Sequence, residues 1–390
     1  MAGKRPALGL LILTLALCLF IAACEDDPDG GDAYVFRLDP ATGNVTWEHR
    51  TAGYTIDAPA AHGGLVVVTG RSTVFAMDAV TGERRWSHEG IDGTRSPLPA
   101  SEGVILAPTF PDDDRLNIGP LLGLDAATGE ERWAAGCIFG GYGPQVLGAG
   151  DGLAFLASTC DGPETRIVAF DIASGNETWS TPNLQYRPPG QDGYAVGIGG
   201  APVAEGSRVL YPNRDGTVNA LDAATGELQW STRITGDPDS PLLSPGDGVV
   251  FAWLPRESVL VALDIETGGE RWRFEQSAGD YGALNFTLFN NPLVVDGTVY
   301  TFATPSEMVA LDLETGAEQW RTDAPAGTMA ANGDVLYLGG HARIRALDRH
   351  TGSSLWEHNY NLAEQTRMQL NFVDGMLLAT AWGESPPYRD

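Results

Sequence analysis

A nine-residue pattern, Asp-x-x-x-Gly-x-x-x-Trp, occurs eight times in this chain of 390 residues. Successive aspartates are separated by 39, 47, 46, 51, 42, 48 and 36 residues. Repeats of about this length are typical of propeller blades, each of which is a sheet of four short strands. Because one propeller can use the whole chain, the repeat replaces the two or three domains that length alone suggests. The copies are Asp39/Gly43/Trp47, Asp78/Gly82/Trp86, Asp125/Gly129/Trp133, Asp171/Gly175/Trp179, Asp222/Gly226/Trp230, Asp264/Gly268/Trp272, Asp312/Gly316/Trp320 and Asp348/Gly352/Trp356.

The repeat around the seventh motif shows the predicted order of strands within one blade. Three apolar strands are predicted at residues 292–295, 298–302 and 308–311. The dipeptide Asp296-Gly297 between the first two favours a tight hairpin turn. The motif turn then leads into a fourth strand that carries Trp320. The chain is therefore predicted to be all-β.

Each motif residue has a structural role in such a blade. The aspartate accepts backbone N–H groups inside the turn, and the glycine supplies the positive φ that a Cβ would penalise. The tryptophan offers a large apolar area and one N–H, which suits a wedge between neighbouring blades. The residue two positions before the aspartate is small in seven repeats, whereas the first repeat has Arg37 there. The small residues are Ala76, Gly123, Ala169, Ala220, Ala262, Ala310 and Ala346.

These positions together form the pattern Ala-x-Asp-x-x-Thr-Gly-x-x-x-Trp. It resembles the tryptophan-docking motif of β-propellers of the pyrroloquinoline-quinone (PQQ) type. The resemblance implies an eight-bladed β-propeller over residues 34–390. Two groups share the motif: large quinoprotein alcohol dehydrogenases, and non-catalytic lipoproteins similar to BamB of the outer-membrane β-barrel assembly machinery.

The two ends of the repeat region predict how the propeller closes. The first motif, from Tyr34 onward, comes with only a third and a fourth strand. After Trp356 the chain supplies two strands without a motif, at residues 368–373 and 376–381. Pairing the C-terminal strands with the N-terminal ones completes the eighth blade and leaves no open sheet edge between the termini.

The N-terminus has the features of an export signal. Lys4 and Arg5 precede an apolar run at residues 10–23, which is too short to span a bilayer comfortably. The run ends in Ile-Ala-Ala-Cys24, which resembles the prokaryotic lipoprotein signal and implies lipidation of Cys24. The alternative is an ordinary signal peptide with a chance cysteine. We predict a signal peptide at residues 1–23, an acidic tether at 24–33 and the propeller at 34–390, anchored on the outer side of a membrane.

The formal charge of the chain is −27, and Lys4 is its only lysine. Without residues 1–23 it carries 22 basic and 51 acidic side chains, a charge of −29. Such a surface repels nucleic acid and anionic lipid headgroups, so nucleic-acid binding is excluded as a function class. The composition suits solubility in high salt, as in a halophile. A second interpretation is recruitment of a basic partner or of cations.

Sequence variation between the repeats is concentrated in long insertions. They lie at residues 109–120, 134–144, 180–200, 231–240 and 273–291, after second or fourth strands. In a four-stranded meander these connections all lie on one face, opposite the motif turns. Variable loops on a rigid scaffold carry function, so this face is the candidate binding surface. Its candidate residues are Tyr142, Tyr186, Arg187, Tyr194, Tyr281, Phe286 and Phe289, which could instead pack under their own loops.

Two cysteines of the exported part, Cys137 and Cys160, fall within or near these loops. We expect Cys137 in a connection between blades and Cys160 in the next loop between a second and a third strand. An oxidising compartment and this placement predict a disulfide between them. The alternative is a pair of buried free thiols.

The sequence lacks the residues that several kinds of catalysis require. Without lysine after residue 23, the chain has no phosphate-loop or Schiff-base lysine, and it has no Gly-x-Ser-x-Gly motif. Each of His49, His88 and His358 follows a motif tryptophan by two residues. We expect these histidines to face solvent on separate blades, so no metal site is predicted.

The quinoprotein resemblance implies adjacent cysteines over the cofactor, calcium-binding acids and an aspartate base. The chain has no Cys-Cys pair, and its repeated aspartates are predicted to be turn residues. Trp253 and Trp382, which lie outside the motif, could stack on a planar ligand, but a core position on a second strand explains both. We therefore expect no cofactor. PQQ with calcium is expected only if the chain is a dehydrogenase.

The sequence favours a binding protein over an enzyme. We predict a monomeric, extracytoplasmic scaffold lipoprotein that binds protein partners in the cell envelope, and the resemblance implies a role in envelope protein assembly. Two alternatives stay open: a PQQ-dependent dehydrogenase, and a surface protein that binds carbohydrate or another small ligand.

Overall fold

The computed structural model of the protein describes residues 33–51, 59–70, 73–89, 100–109, 118–139, 146–150, 152–158, 166–181, 202–236, 241–276, 292–324, 327–362 and 366–382. In these ranges all regular secondary structure is β-strand, arranged as eight antiparallel sheets of four strands each. Across the same ranges no helix is long and apolar enough to cross a membrane. The protein is an eight-bladed β-propeller, as the repeat predicts.

The strands, in chain order, are β1 Ala33–Leu38, β2 Val45–Thr51, β3 Ala60–His62, β4 Leu65–Thr69, β5 Thr73–Asp78, β6 Arg84–Glu89, β7 Ala100–Ser101, β8 Val104–Pro108, β9 Ile118–Asp125, β10 Glu131–Phe139, β11 Val146–Gly150, β12 Leu153–Ser158, β13 Arg166–Asp171, β14 Glu177–Ser180, β15 Val203–Glu205, β16 Arg208–Pro212, β17 Thr217–Asp222, β18 Leu228–Arg233, β19 Leu242–Gly246, β20 Val249–Leu254, β21 Val259–Asp264, β22 Glu270–Glu275, β23 Leu293–Val295, β24 Thr298–Thr304, β25 Glu307–Asp312, β26 Glu318–Asp323, β27 Thr328–Asn332, β28 Val335–Gly339, β29 Arg343–Asp348, β30 Ser354–Asn359, β31 Arg367–Val373 and β32 Met376–Trp382.

We number the blades so that blade 1 contains the first motif. Blades 2 to 8 are then β3–β6, β7–β10, β11–β14, β15–β18, β19–β22, β23–β26 and β27–β30. Each is a meander, so its first strand lies innermost and its fourth strand, which carries the motif tryptophan, lies outermost.

Blade 1 closes the ring with strands from both ends of the chain. Its order is β2-β1-β32-β31, and Tyr34 of β1 lies opposite Ala381 of β32. The predicted closure is confirmed. Strand β1 begins at Ala33, which is fully buried, so the last residue of the predicted tether already belongs to the sheet.

The short turns between first and second strands follow the expected chemistry. Asp296 and Gly297 have φ values of +47° and +74°, and Asp374 and Gly375 have +51° and +74°. Positive φ at both central residues defines the hairpin turn whose twist matches antiparallel strands, and it favours Asp-Gly.

The apolar core lies between the blades. Phe251 and Trp253 of blade 6 pack in one cluster with Val299 and Val309 of blade 7. Trp253 is 2% exposed, which confirms its predicted core position, whereas Trp382 is half-buried at the end of β32. Since each blade covers the face of the next, removal of one blade would expose apolar surface on two others.

Candidate functional site

The motif aspartates hold the turns between third and fourth strands. Oδ1 of Asp78 accepts the backbone N–H groups of Val80 at 2.9 Å and Thr81 at 2.8 Å, and also the Thr81 hydroxyl at 3.2 Å. Its Oδ2 is 2.7 Å from the guanidinium of Arg85. Both carboxylate oxygens are therefore engaged within the turn.

These hydrogen bonds keep the motif carboxylates ionised. The Arg132 guanidinium, followed by the Thr128 backbone N–H, lowers the pKa of Asp125 to about 2. Arg85 and the Thr81 N–H likewise hold the pKa of Asp78 well below its usual range. A general base that works near neutral pH needs a pKa near that value. The motif aspartates are therefore structural residues, as the sequence indicates.

The motif tryptophan of one blade docks on the motif turn of the next. Nε1 of Trp47 donates to the carbonyl of Ala79 at 3.1 Å, and Nε1 of Trp272 donates to Leu313 O at 2.8 Å. The same bond joins Trp86 to Ala126, Trp133 to Ile172, Trp179 to Ala223, Trp230 to Ile265 and Trp320 to Arg349. The indole N–H groups of these seven tryptophans are thus satisfied by a carbonyl of the neighbouring blade.

The indole of each docked tryptophan also covers the motif glycine of the next blade. A Cβ on Gly316 would lie 2.7 Å from the ring of Trp272. Equivalent distances are 2.8 Å for Gly82 and Trp47, 2.5 Å for Gly129 and Trp86, 2.5 Å for Gly175 and Trp133, 2.5 Å for Gly226 and Trp179, 2.5 Å for Gly268 and Trp230, and 2.7 Å for Gly352 and Trp320.

The prediction for these glycines was correct but incomplete. All of them have the expected positive φ, for example +72° at Gly82, +71° at Gly175, +73° at Gly226, +70° at Gly268 and +70° at Gly352. The structure adds a second requirement, because real side chains essentially never approach an aromatic ring as closely as a Cβ would at these positions. Spacing within one repeat cannot show this contact, since the ring belongs to the preceding blade.

A second donor reinforces the docking carbonyl at two junctions, and at a third junction a tyrosine reaches the equivalent carbonyl. Arg37, the exception to the small-residue rule, donates from Nη1 to Ala79 O at 2.9 Å. Tyr300 donates from its hydroxyl to Arg349 O at 3.1 Å, and Tyr337 donates to Pro40 O at 3.2 Å. These roles were not predicted, because the repeat alone does not show which carbonyl in the next blade each side chain reaches.

Backbone hydrogen bonds define one face of the propeller, which we call the motif face. The residue after the motif aspartate donates its N–H to the first–second turn of the same blade, as in Ala79 to Gly64 O at 2.9 Å and Leu313 to Gly297 O at 3.0 Å. Seven motif turns make this bond among the described residues. In blade 1 the position is Pro40, which has no N–H to donate.

The opposite face, which we call the loop face, is held together in the same way. Residues just after the fourth strand donate to the second–third loop of their own blade. Examples are Ile234 to Gly216 O at 2.9 Å, Gln276 to Ser258 O at 2.7 Å and Tyr360 to Ala342 O at 2.9 Å. The connections between blades therefore share a face with the second–third loops, as predicted.

All seven residues predicted to form the binding surface lie outside the described residues. This applies to Tyr142, Tyr186, Arg187, Tyr194, Tyr281, Phe286 and Phe289, and also to Cys24 and Cys160. The described ends of the insertions that contain the aromatic residues, such as Thr181 and Gln276, lie on the loop face. The binding role of this set stays a prediction.

The position of Cys137 differs from the expectation. It belongs to β10, which continues to Phe139, and not to a loop between blades. Ile138 and Phe139 pair with Gly119 and Ile118, so β9 starts early enough to extend the ladder. Because β9 is long enough to pair with it, the fourth strand β10 continues past the motif tryptophan to Phe139. The motif spacing alone does not show the length of β9. The disulfide to Cys160 stays a prediction.

The histidines after the motif tryptophans also differ from the expectation. His49, His88 and His358 are half-buried at junctions between blades and do not face solvent freely. Nδ1 of His88 donates to the Gly129 carbonyl of the next blade at 3.1 Å. Burial, followed by the charge of Arg84, lowers the pKa of His49. The expectation was wrong because the side of the fourth strand that carries these histidines faces the motif turn of the next blade. In the described part of the chain no group of three His, Cys, Asp or Glu side chains could hold a metal ion.

Comparison with known families identifies the family to which the chain belongs. A sequence model of the family described as "Outer membrane protein assembly factor BamB" matches residues 28–138, 163–321 and 214–376, most of the chain. The chain belongs to this family. The BamB family assignment agrees with the eight blades and with the tryptophan docking between them.

Quinoproteins share the fold with this BamB-family chain. Quinohemoprotein alcohol dehydrogenase ADH IIB of Pseudomonas putida is 29% identical over 126 residues, which are 30% of this chain and 18% of that protein. A quinohemoprotein alcohol dehydrogenase from Comamonas testosteroni superposes with a TM-score of 0.57 at 14% identity, covering 93% of this chain and 78% of that one. A europium-containing methanol dehydrogenase gives 0.61 at 13% identity, covering 87% and 93%. At these identities the structures show the fold alone.

Proposed function

We propose that the protein is an exported, lipid-anchored scaffold that binds a protein partner in the cell envelope and catalyses no reaction. Its membership of the BamB family supports a role in outer-membrane protein assembly. The observation that carries the proposal is the division of the chain between two faces. The repeated polar residues are used in turns on the motif face, and the long insertions connect strands on the loop face.

The rigid frame beneath the loop face favours recognition of a large partner. Tryptophan docking joins neighbouring blades, so the strand ends that carry the insertions are held at fixed positions. Loops fixed at both ends lose less conformational entropy on binding than free segments do. Their sequences supply tyrosine, phenylalanine and arginine, the types that dominate interface hot spots.

The lipid anchor on Cys24 would keep this scaffold near a membrane. From Cys24 to Ala33, the first residue of β1, the chain has nine residue steps. Fully extended, such a tether spans at most about 30 Å. It lacks apolar residues from Glu25 to Asp32 and carries five acids, so it favours solvent over the membrane. The propeller would therefore reach partners within about one domain diameter of the bilayer.

The match to the Pseudomonas putida dehydrogenase makes a PQQ-dependent dehydrogenase the second candidate. The residues of this chain do not fit that cofactor. The motif aspartates are bonded into turns, as Asp125 is to Thr128 and Arg132, and no acidic cluster of the kind that binds calcium occurs among the described residues. No two cysteines are adjacent in the sequence. We therefore expect no dye-linked alcohol oxidation after incubation with PQQ and calcium.

Affinity capture of the full-length, lipidated protein from native envelope membranes tests the scaffold role. We expect barrel-assembly proteins to be recovered with wild type and to be lost with the double variant Tyr186→Ala/Arg187→Ala. Val80→Ala is the matched control, because Val80 is 74% exposed on the motif face and should not matter. Recovery of no barrel-assembly protein, or equal loss with Val80→Ala, would contradict the proposal.

A further inference from the structure

The motif turns of blades 1 and 4 carry a pair of residues that the other motif turns lack. Asn44 and Asn176 follow the motif glycine, and a threonine follows each asparagine by two residues. In the other six blades neither residue type occurs at its position. The two positions there hold Glu83/Arg85, Glu130/Arg132, Glu227/Gln229, Gly269/Arg271, Ala317/Gln319 and Ser353/Leu355. Threonine therefore precedes the motif tryptophan only where asparagine follows the motif glycine.

The backbone of the motif turn does not require an asparagine at this position. Asparagine is enriched where a residue other than glycine needs a positive φ, but neither Asn44 nor Asn176 has one. Their carbonyls accept from the N–H of the motif aspartate at 2.8 and 2.9 Å, and Glu83 does the same in blade 2 at 2.8 Å. Neither side-chain amide has a hydrogen bond to another described residue. The fold thus leaves both amides available for another role.

The threonine of each pair replaces a side chain that stabilises the turn in other blades. Arginine occupies its position in blades 2, 3 and 6 and pairs with the motif aspartate, as Arg85 does with Asp78 at 2.7 Å. The Thr46 hydroxyl donates to Arg37 O at 2.9 Å, whereas that of Thr178 has no partner within the described ranges. Residues that break a rule followed elsewhere in the same fold are expected where function requires them.

Both asparagines are exposed on the motif face, at a position that leads into open space. In blade 6 the equivalent residue is Gly269, where an added Cβ would meet only the Thr267 hydroxyl within 4 Å, at 3.2 Å. The tryptophan of the preceding blade covers the motif glycine and leaves the next residue uncovered. The turn therefore has room for a bulky group on the asparagine side chain.

We propose that Asn44 and Asn176 are glycosylation sites, so that the exported protein carries a glycan on the motif face of blades 1 and 4. Asn-x-Thr, with x other than proline, is the acceptor sequence for asparagine-linked glycans on exported proteins, and x is Val45 or Glu177 here. A glycan at either site would lie opposite the insertions and would leave the loop face free. The proposal rests on the export predicted from the N-terminus and not on the scaffold role.

The modification requires a donor of one chemical class, a sugar carried on a lipid diphosphate, and a transferase of the envelope. Nδ2 of the asparagine attacks the anomeric carbon of the sugar and forms a C–N bond. The C–O bond to the diphosphate breaks, and the diphosphate leaves with the electron pair of that bond. The amide nitrogen loses one proton.

Peptide mass spectrometry of the full-length protein, purified from the cells that make it naturally, tests the sites. We expect a sugar mass on the peptides that contain Asn44 and Asn176. Thr178→Ala should remove the sugar from Asn176 and leave that on Asn44, because it removes the recognised hydroxyl and keeps the acceptor amide. Asn359 is the internal control, since it is exposed but has no serine or threonine two positions later and should stay unmodified.

A gain of a site tests whether the position in the turn is sufficient. Glu227→Asn/Gln229→Thr recreates the pair in blade 5 and should add a sugar at position 227, whereas Glu227→Asn alone should add none. Absence of sugar from either wild-type asparagine, or a sugar on Asn176 that Thr178→Ala leaves unchanged, would overturn the proposal. If Thr178→Ala fails to fold, Asn176→Gln replaces it with the same expected loss. Since envelope capture depends on Tyr186 and Arg187, its failure and the failure of these sites can be told apart.

Discussion

Trp356 of blade 8 covers Gly43 of blade 1, so that a Cβ on Gly43 would lie 2.6 Å from Cζ3 of the indole. The Tyr360 hydroxyl donates to the carbonyl of the same glycine at 2.8 Å. This contact joins the last complete repeat to the first and repeats the packing of indole on glycine found between the other blades. It is one half of the closure of the ring, and the pairing of β1 with β32 is the other.

Gly43→Ala should destabilise the protein more than an equivalent change at an open glycine. Both Gly43 and Gly297 have a φ of +74°, but a Cβ on Gly297 meets nothing within 4 Å. Alanine at either position therefore suffers the same backbone strain. Only Gly43→Ala also forces a Cβ against the indole, and such overpacking typically costs about 1–3 kcal/mol. Urea unfolding of both variants measures the difference in the free energy of unfolding. Equal losses would show that Trp356 does not pack tightly on this turn.

Deletion of residues 367–390 should abolish the cooperative melting transition of the whole propeller. The deletion removes β31 and β32, so β1 loses its inner partner and the apolar surface on blades 2 and 8 becomes exposed. Deletion of 383–390 alone, which leaves both strands intact, is the control and should melt near the wild-type temperature. An unchanged transition by circular dichroism in the longer deletion would contradict closure.

The motif aspartates should make the fold sensitive to acid. Hydrogen bonds lower the pKa of Asp125 to about 2, and the Ser174 hydroxyl lowers that of Asp171. The unfolded value is about 3.9, so the unfolded chain takes up protons first as pH falls. The stabilisation of the folded state by these ionised aspartates is complete above about pH 4 and is lost as the pH falls toward 2. Melting temperatures from pH 6 to pH 2 should show this loss, with a smaller slope in Asp125→Asn. A flat profile below pH 4 would refute it.

Added salt should raise the melting temperature. A formal charge of −27 makes the folded chain repel itself, and salt screens that repulsion over a Debye length of about 10 Å at 0.1 M. Scanning calorimetry from 0.05 to 2 M NaCl measures the effect, and choline chloride separates screening from specific sodium binding. A melting temperature independent of salt would remove the interpretation of the acidity as an adaptation to high salt.

The fold was predictable because its information is local and repeated. The aspartate, glycine and tryptophan lie within nine residues, and each specifies a turn or a packing wedge without reference to other blades. The contacts between blades were not predictable in the same detail. Arg37 looked like a broken rule, and only the structure shows it donating to Ala79 O, 42 residues away.

The candidate site was predictable only as a face. Strand order assigns the insertions to the side opposite the motif turns, and backbone bonds such as Gln276 N–H to Ser258 O place their described ends on that side. The side chains that would touch a partner depend on loop conformation, which has no repeat to constrain it. His88 shows the limit, since it was expected in solvent and instead donates to Gly129 O.

Site-specific photo-crosslinking in intact cells tests most directly whether the loop face binds the partner. A benzophenone amino acid replaces Tyr186 or Tyr281, which are predicted to lie on the loop face, and Val80 on the motif face serves as the control. We predict crosslinks to a barrel-assembly protein from positions 186 and 281 and none from position 80. Crosslinks from position 80 alone, or none from either loop position, would contradict the account.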